Sequence, residues 1–325
     1  MNRRALGDTG IEVGEIGLGC GGLGVAGKED LDHVLEFAFD CGVTFYDTAE
    51  TYADGQSERI LGRVFENRRD RVVFATKFRV PKNDAGGHDR AASLAHLREA
   101  VDASLRRLRT DWIDVYQLHN PPMSVLDDDE LIGTLDALKR QGKIRCYGPS
   151  IDVGEDAVRF LDRTDSQLVQ MILNLFQQAA RGAADGGQPT EDGGPGFLGQ
   201  ARRRDAGVIV KVPMAGGTLT GRFGTDYPPP DDERRQRWGE ADFQRRLELV
   251  ERVRPILEQP GRTMAQGALA WLLSLKGVSV LLPGITSLDK TRECIEAAGM
   301  RLSDQEMAEL DHLDDGLLRR LNLPW

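Results

Sequence analysis

Gly42-Val-Thr-Phe-Tyr-Asp47-Thr-Ala-Glu-Thr-Tyr52 places an apolar, aromatic run directly before an aspartate, with a tyrosine in the stretch that follows. Two later stretches end the same way. Val72-Val-Phe-Ala-Thr-Lys77 closes on a lysine and Ile113-Asp-Val-Tyr-Gln-Leu-His119 on a histidine. Short apolar runs rich in β-branched and aromatic residues read as buried strands. Outward from these three, similar runs occur at Glu15–Leu18, Val43–Tyr46, Val72–Ala75, Ile113–Leu118, Ile144–Tyr147, Leu168–Leu173, Val208–Val212 and Ser279–Leu282. Helical patterns lie between them. Leu94, Leu97, Val101, Leu105 and Leu108 share one helix face, as do Leu31, Val34, Leu35 and Ala38. Eight alternations of strand and helix predict an α/β chain with a parallel sheet, closed as a barrel or open and doubly wound.

The ends of the runs carry the chemistry. Asp47, Tyr52, Lys77 and His119 arrive at the ends of strands two, three and four. In a parallel barrel that face holds the active site. A tyrosine hydroxyl titrates near ~10, and a nearby ammonium lowers that value. Lys77 supplies the ammonium, and Asp47 holds Lys77 protonated and in place. His119 donates a hydrogen bond to a substrate oxygen, and Tyr52 protonates that oxygen as a hydride reaches the carbonyl carbon.

The segments Asp47–Gly62, Ala75–Phe78 and Tyr116–Pro122 closely resemble the aldo-keto reductases, and the likeness runs from about Arg3 to Ala298. The resemblance implies a (β/α)8 TIM barrel, the tetrad Asp47, Tyr52, Lys77 and His119, and direct hydride transfer from NADPH without metal or flavin. It also implies cofactor contacts. Cys20 and Gly21 match positions at the nicotinamide end, as does Asp47. Ser150, in Tyr147-Gly-Pro-Ser150-Ile151, and Gln170 match the residues that bind the carboxamide; Ile151 replaces a polar neighbour. Lys211, Pro213, Ala215, Gly217 and Arg222 lie in a segment similar to the family's diphosphate loop, with Lys211 where many members carry an aromatic residue. Gly284, Thr286, Ser287 and Lys290 resemble the segment that binds the adenosine 2′-phosphate, and Lys290 is the reason to expect NADP rather than NAD. Cys294 stands where an asparagine usually meets adenine.

The rest of the chain frames this reading. The 325 residues, 40% hydrophobic, are expected to form one domain over 1–325. The net charge of −10 argues against a nucleic-acid partner. The expected partner is a small carbonyl or sugar substrate; oligomeric state is not readable. No run reaches the ~18 apolar residues that span a bilayer, no secretory leader is seen, and four scattered cysteines suit a reducing compartment, so a cytoplasmic location is expected. The histidines and cysteines lack metal-ligand spacing, and no metal is expected. Arg3–Val13, around Gly7-Asp8-Thr9-Gly10, reads as a β-hairpin before the first barrel strand. Ser303-Asp-Gln-Glu306 reads as a capping box opening a last helix. Gly17-Leu-Gly19-Cys-Gly-Gly22 fits G-x-G-x-x-G, but the following helix is expected only from about Glu29, which favours a glycine-rich barrel loop over a Rossmann start. Arg202-Arg-Arg204 reads as a solvated helix face. Long loops at Ala179–Gly199 and Tyr227–Arg237, the aromatics Trp238, Phe243 and Trp325, and the tail are expected near the pocket. An alternative function is an NADP-binding redox-sensing subunit with little turnover.

Overall fold

A computed structural model describes residues 1–25, 31–81, 90–152, 154–181, 196–224 and 240–313. The hairpin is present: β1 (Arg3–Ala5) pairs antiparallel with β2 (Glu12–Gly14) across a helical turn at Gly7–Thr9. Gly7 adopts φ +58°, and a Cβ there would lie 2.2 Å from the Gly207 backbone nitrogen, so this turn admits only glycine.

Eight parallel strands follow: β3 (Leu18–Gly19), β4 (Phe45–Asp47), β5 (Val73–Phe78), β6 (Ile113–His119), β7 (Ile144–Ile151), β8 (Leu168–Ile172), β9 (Gly207–Lys211) and β10 (Val280–Leu282). They pair in chain order. The sheet closes on itself where Gly17 and Gly19 donate to the carbonyls of Leu281 and Pro283, each at 2.9 Å, and Ile285 donates to Gly19 at 3.0 Å. This is the expected (β/α)8 barrel. Helices such as Asp32–Asp40, Gln56–Val64, Arg90–Leu108 and Asp129–Arg140 cover its outside. Leu94, Leu97, Val101 and Leu108 are buried on one face, as the spacing predicts.

Alternation along each strand sorts the residues. Phe45, Val73, Ala75, Val115, Cys146, Leu168, Ile209 and Val280 fill the barrel interior, and Leu6, Ile11 and Val13 of the hairpin plug its lower end. One step higher on the same inward faces stand Asp47, Lys77, Gln117, Gln170 and Lys211. The barrel is thus apolar below and polar at its upper mouth.

Several expectations shift in detail. The first strand is Leu18–Gly19 rather than Glu15–Leu18; upstream of it the backbone pairs with the barrel sheet only through the isolated bridge of Ile16 with Leu281, while the Glu15 side chain binds Arg4 and Arg301 at 3.1 and 2.7 Å. The Gly17–Gly22 loop is followed by a helix from Asp32, ten residues after its last glycine, which suits a barrel loop. Both arms of the capping box form: Ser303 N donates to Glu306 at 2.7 Å and Glu306 N donates to Ser303 Oγ at 3.3 Å. Arg204 pairs with Asp162. Phe243 is buried against Leu247 and Phe223. Residues 182–195 of the glycine-rich loop, 225–239 with Trp238, and 314–325 with Trp325 lie outside the described residues, as does Glu29. Among the described residues no helix is long and apolar enough to cross a membrane, and no cluster of three or more His, Cys, Asp or Glu could hold a metal.

Candidate active site

The centre of the upper mouth is a buried ion pair. Lys77 Nζ, from β5, lies 2.5 Å from Asp47 Oδ1 at the end of β4, with both side chains nearly inaccessible. The same ammonium donates to the Thr48 carbonyl at 2.7 Å and reaches the Tyr52 hydroxyl at 3.4 Å. Burial opposes the charge on Lys77, but Asp47 and then Tyr52 outweigh it and hold the ammonium above its ordinary range. The second Asp47 oxygen accepts from Gln117 Nε2 at 3.0 Å and Gln170 Nε2 at 2.7 Å. Three donors on three strands thus fix one carboxylate, and its charge is compensated inside the protein.

Tyr52 comes from the loop after β4. Ala53, Asp54 and Gly55 all take left-handed φ, near 48°, 52° and 74°, a costly backbone turn for the first two. The turn is anchored from beneath. Glu58, fully buried, accepts from the Thr76 hydroxyl at 2.6 Å and from Arg107 at 2.5 Å. Ser57 receives the Thr48 hydroxyl at 2.7 Å and donates to the Cys20 carbonyl at 2.9 Å.

His119, at the end of β6, stands edge-on to Tyr52 with ring centroids 6.0 Å apart. Burial, with Lys77 and Lys211 next, pushes its imidazole down to about 3, so the ring is neutral at pH 7. Its buried Nδ1 and the buried Gln117 Oε1 have no hydrogen-bond partner. Phenol, ammonium and neutral imidazole therefore converge at the upper mouth, as an oxygen-bearing substrate needs.

The residues expected to touch a cofactor lie around this mouth. Gly21 backs onto the Tyr52 ring, where a Cβ would sit 3.7 Å from the ring edge. Cys20 is wholly buried, its thiol toward the Leu18 carbonyl at 3.6 Å, so it presents only backbone to the mouth. Ser150 Oγ donates to Gln170 Oε1 at 2.8 Å. Lys211 reaches a carboxylate, Asp152, at 2.9 Å, and also Asn120 Oδ1 at 3.1 Å and Ser150 Oγ at 3.2 Å. Pro213 and Ala215 are buried and Gly217 is half-buried in a loop where Val212, Ala215, Gly216, Gly217 and Gly221 all have positive φ. Arg222 pairs with Glu293 at 2.9 Å. Ser287 caps the helix Leu288–Glu296 by accepting from Lys290 N at 3.5 Å, while Gly284, Thr286 and Lys290 are exposed beside that helix N-terminus. A helix start with exposed hydroxyl and ammonium groups suits a phosphate. The residues present therefore fit a phosphorylated dinucleotide along the mouth.

A match to the model described as Aldo/keto reductase family extends over residues 15–315. The chain belongs to the aldo/keto reductase family. This aldo-keto reductase is 29% identical over 316 residues to the uncharacterized oxidoreductase YqkF of Bacillus subtilis, with 95% of each chain covered. It is 28% identical over 343 residues to the NADH-specific methylglyoxal reductase of Escherichia coli, covering 98% of this chain and 100% of that one. Among solved structures, an aldo-keto reductase from Klebsiella pneumoniae in complex with NADPH is 25% identical, with a TM-score of 0.72 and 100% and 99% of the two chains covered.

Sequence reading passed over Gln117, Glu58, Asn120 and Asp152. Gln117 was findable, since it lies two residues before His119 and shares its inward face. Glu58 was not, because its partner Arg107 is 49 residues away.

Proposed function

We propose that this aldo-keto reductase is an NADPH-dependent enzyme that reduces a small aldehyde, ketone or sugar carbonyl, or oxidises the matching alcohol, with Tyr52 as general acid. The observation that carries this reading is the hydrogen-bonded chain from Asp47 through Lys77 to the Tyr52 hydroxyl, with neutral His119 beside it. NADPH, when bound, supplies the hydride. His119 donates from its N–H to the carbonyl oxygen and orients it. Tyr52 delivers its proton to that oxygen as negative charge develops there, and Lys77 stabilises the phenolate left behind. Asp47 keeps Lys77 charged and Gln117 and Gln170 keep Asp47 in place. In the oxidative direction the phenolate accepts the alcohol proton.

Ser150 and Gln170 are suited to the carboxamide, and the exposed Lys290, with Thr286, to the 2′-phosphate. The cysteines are all unpaired, which fits a reducing compartment such as the cytoplasm. The name of the Escherichia coli relative makes cofactor choice the point to test. Wild type and Lys290→Ala are titrated with NADPH and NADH by tryptophan fluorescence quenching. The expected result is preference for NADPH, reduced in the variant by about tenfold, as for one charge-assisted phosphate contact of about 1.4 kcal/mol. Equal affinity for both cofactors, unchanged by Lys290→Ala, would overturn the assignment of the phosphate site. Tight retention of NADPH with negligible turnover on all carbonyls tried would point instead to a redox-sensing subunit.

A further inference from the structure

We propose that Lys211, held by Asp152, sets the redox preference of the cofactor site, favouring the reduced over the oxidised nicotinamide. The inference rests on the cofactor reading above and goes beyond it, to how strongly each form is held.

Lys211 is the last residue of β9 and follows Ile209 on the inward face. Its ammonium lies 3.2 Å from Ser150 Oγ, and Ser150 is bonded in turn to Gln170. These are the two side chains suited to the carboxamide, so the ammonium borders the nicotinamide end of the site. Its ion pair has a direction. The Lys211 side chain is 17% exposed and its partner Asp152 46% exposed, so the positive end lies inward and the negative end toward water. Solvent screens the carboxylate more than the ammonium. The neighbouring pair, Lys77 and Asp47, is buried at both ends and leaves little net charge. The unbalanced field that the Lys211–Asp152 pair places at the mouth is therefore positive.

An oxidised nicotinamide ring carries one more positive charge than a reduced one. Burial lowers the basicity of Lys211 and Asp152 opposes that loss; the ammonium that Asp152 maintains would disfavour an oxidised ring at this end of the site and leave the neutral reduced ring almost untouched. Where an aromatic residue would offer stacking without charge, Lys211 offers an alkyl stem and a charge. The consequence is weaker retention of oxidised cofactor, which suits an enzyme that must exchange NADP⁺ for NADPH in each reductive cycle.

The test is isothermal titration calorimetry of the full chain with NADPH and with NADP⁺, for wild type, Lys211→Met and Asp152→Asn. Lys211→Met keeps the stem and removes the charge. The ratio Kd(NADP⁺)/Kd(NADPH) is expected to fall about tenfold, with NADPH affinity within about threefold of wild type. Asp152→Asn removes the compensating carboxylate from an exposed position and is expected to raise the ratio. Opposite movements in the two variants establish an electrostatic bias. A ratio unchanged in both, or moved the same way in both, overturns the proposal and makes the pair a packing element. If wild type binds neither form, the cofactor reading itself fails, and this inference with it.

Discussion

Removing one member of the Asp47–Lys77 pair leaves a buried charge, and the two single substitutions are not equivalent. Lys77→Met strands Asp47, but its second oxygen still accepts from Gln117 and Gln170 at 3.0 and 2.7 Å. Asp47→Asn leaves the Lys77 charge without a counter-ion, with the Thr48 carbonyl at 2.7 Å, the Tyr52 hydroxyl at 3.4 Å and a neutral amide oxygen in place of the carboxylate. Breaking a buried pair costs about 3–5 kcal/mol. The lysine variant belongs at the lower end and the aspartate variant at the upper end. Asp47→Asn/Lys77→Met leaves no buried charge, and its loss should be about 2 kcal/mol, below either single substitution and far below their sum. Urea unfolding at pH 7, followed by circular dichroism and fluorescence with coincident transitions, measures all three. The pH dependence has a definite sign. The Lys77 ammonium is held above its ordinary range, so the stability it contributes is fully present below the ordinary lysine value of 10.5 and is lost as pH rises through the raised folded value. The gap between wild type and Lys77→Met should therefore hold from pH 6 to 9. Additive losses in the double variant would refute the reasoning, because they would mean that the two charges do not compensate each other.

Two further outcomes follow from the same geometry. His119 is depressed to about 3, so below the ordinary value of 6.5 the unfolded chain takes up a proton that the folded chain refuses, and stability falls as pH falls from 6.5 toward 3. In His119→Gln the slope of stability between pH 6 and 4 should be shallower by up to about 1.4 kcal/mol per pH unit, measured by urea unfolding. Glu58→Ala leaves Arg107 without its carboxylate and the Thr76 hydroxyl without its acceptor beneath the Tyr52 turn. It should lose about 3 kcal/mol of stability and lower kcat while NADPH affinity holds, read by thermal unfolding, steady-state kinetics and titration.

The polar ends of the strands were legible in sequence because each follows an apolar run, and the barrel supplies the rule that such ends share a face. Two of the runs were read several residues too short at their upper ends. Val72–Ala75 continues as β5 to Phe78, and Ile144–Tyr147 as β7 to Ile151. Backbone pairing goes on past the point where inward residues turn polar, as the register of Lys77 with Gln117 and Ser150 with Gln170 shows. Apolarity marks the filled part of the barrel and not the length of the strand. Partners distant in sequence were beyond local reading. Gln170 meets Asp47 across 123 residues, and Lys211 meets Asn120 across 91. Gln170 is also bound to the Asp47 carboxylate, a contact that its match to a carboxamide-binding position does not disclose.

In the proposed mechanism Tyr52 gives the proton, and Asp47, Lys77 and His119 prepare it to do so. Tyr52→Phe removes one oxygen at a half-buried site and leaves the ion pair beneath intact. The decisive measurement is single-turnover oxidation of bound NADPH by a panel of small aldehydes and dicarbonyls, in wild type and Tyr52→Phe, with NADPH affinity determined in parallel. The expected result is a loss of about 10²–10⁴ in rate with affinity unchanged, as for removal of a general acid. Turnover by Tyr52→Phe at the wild-type rate would contradict it.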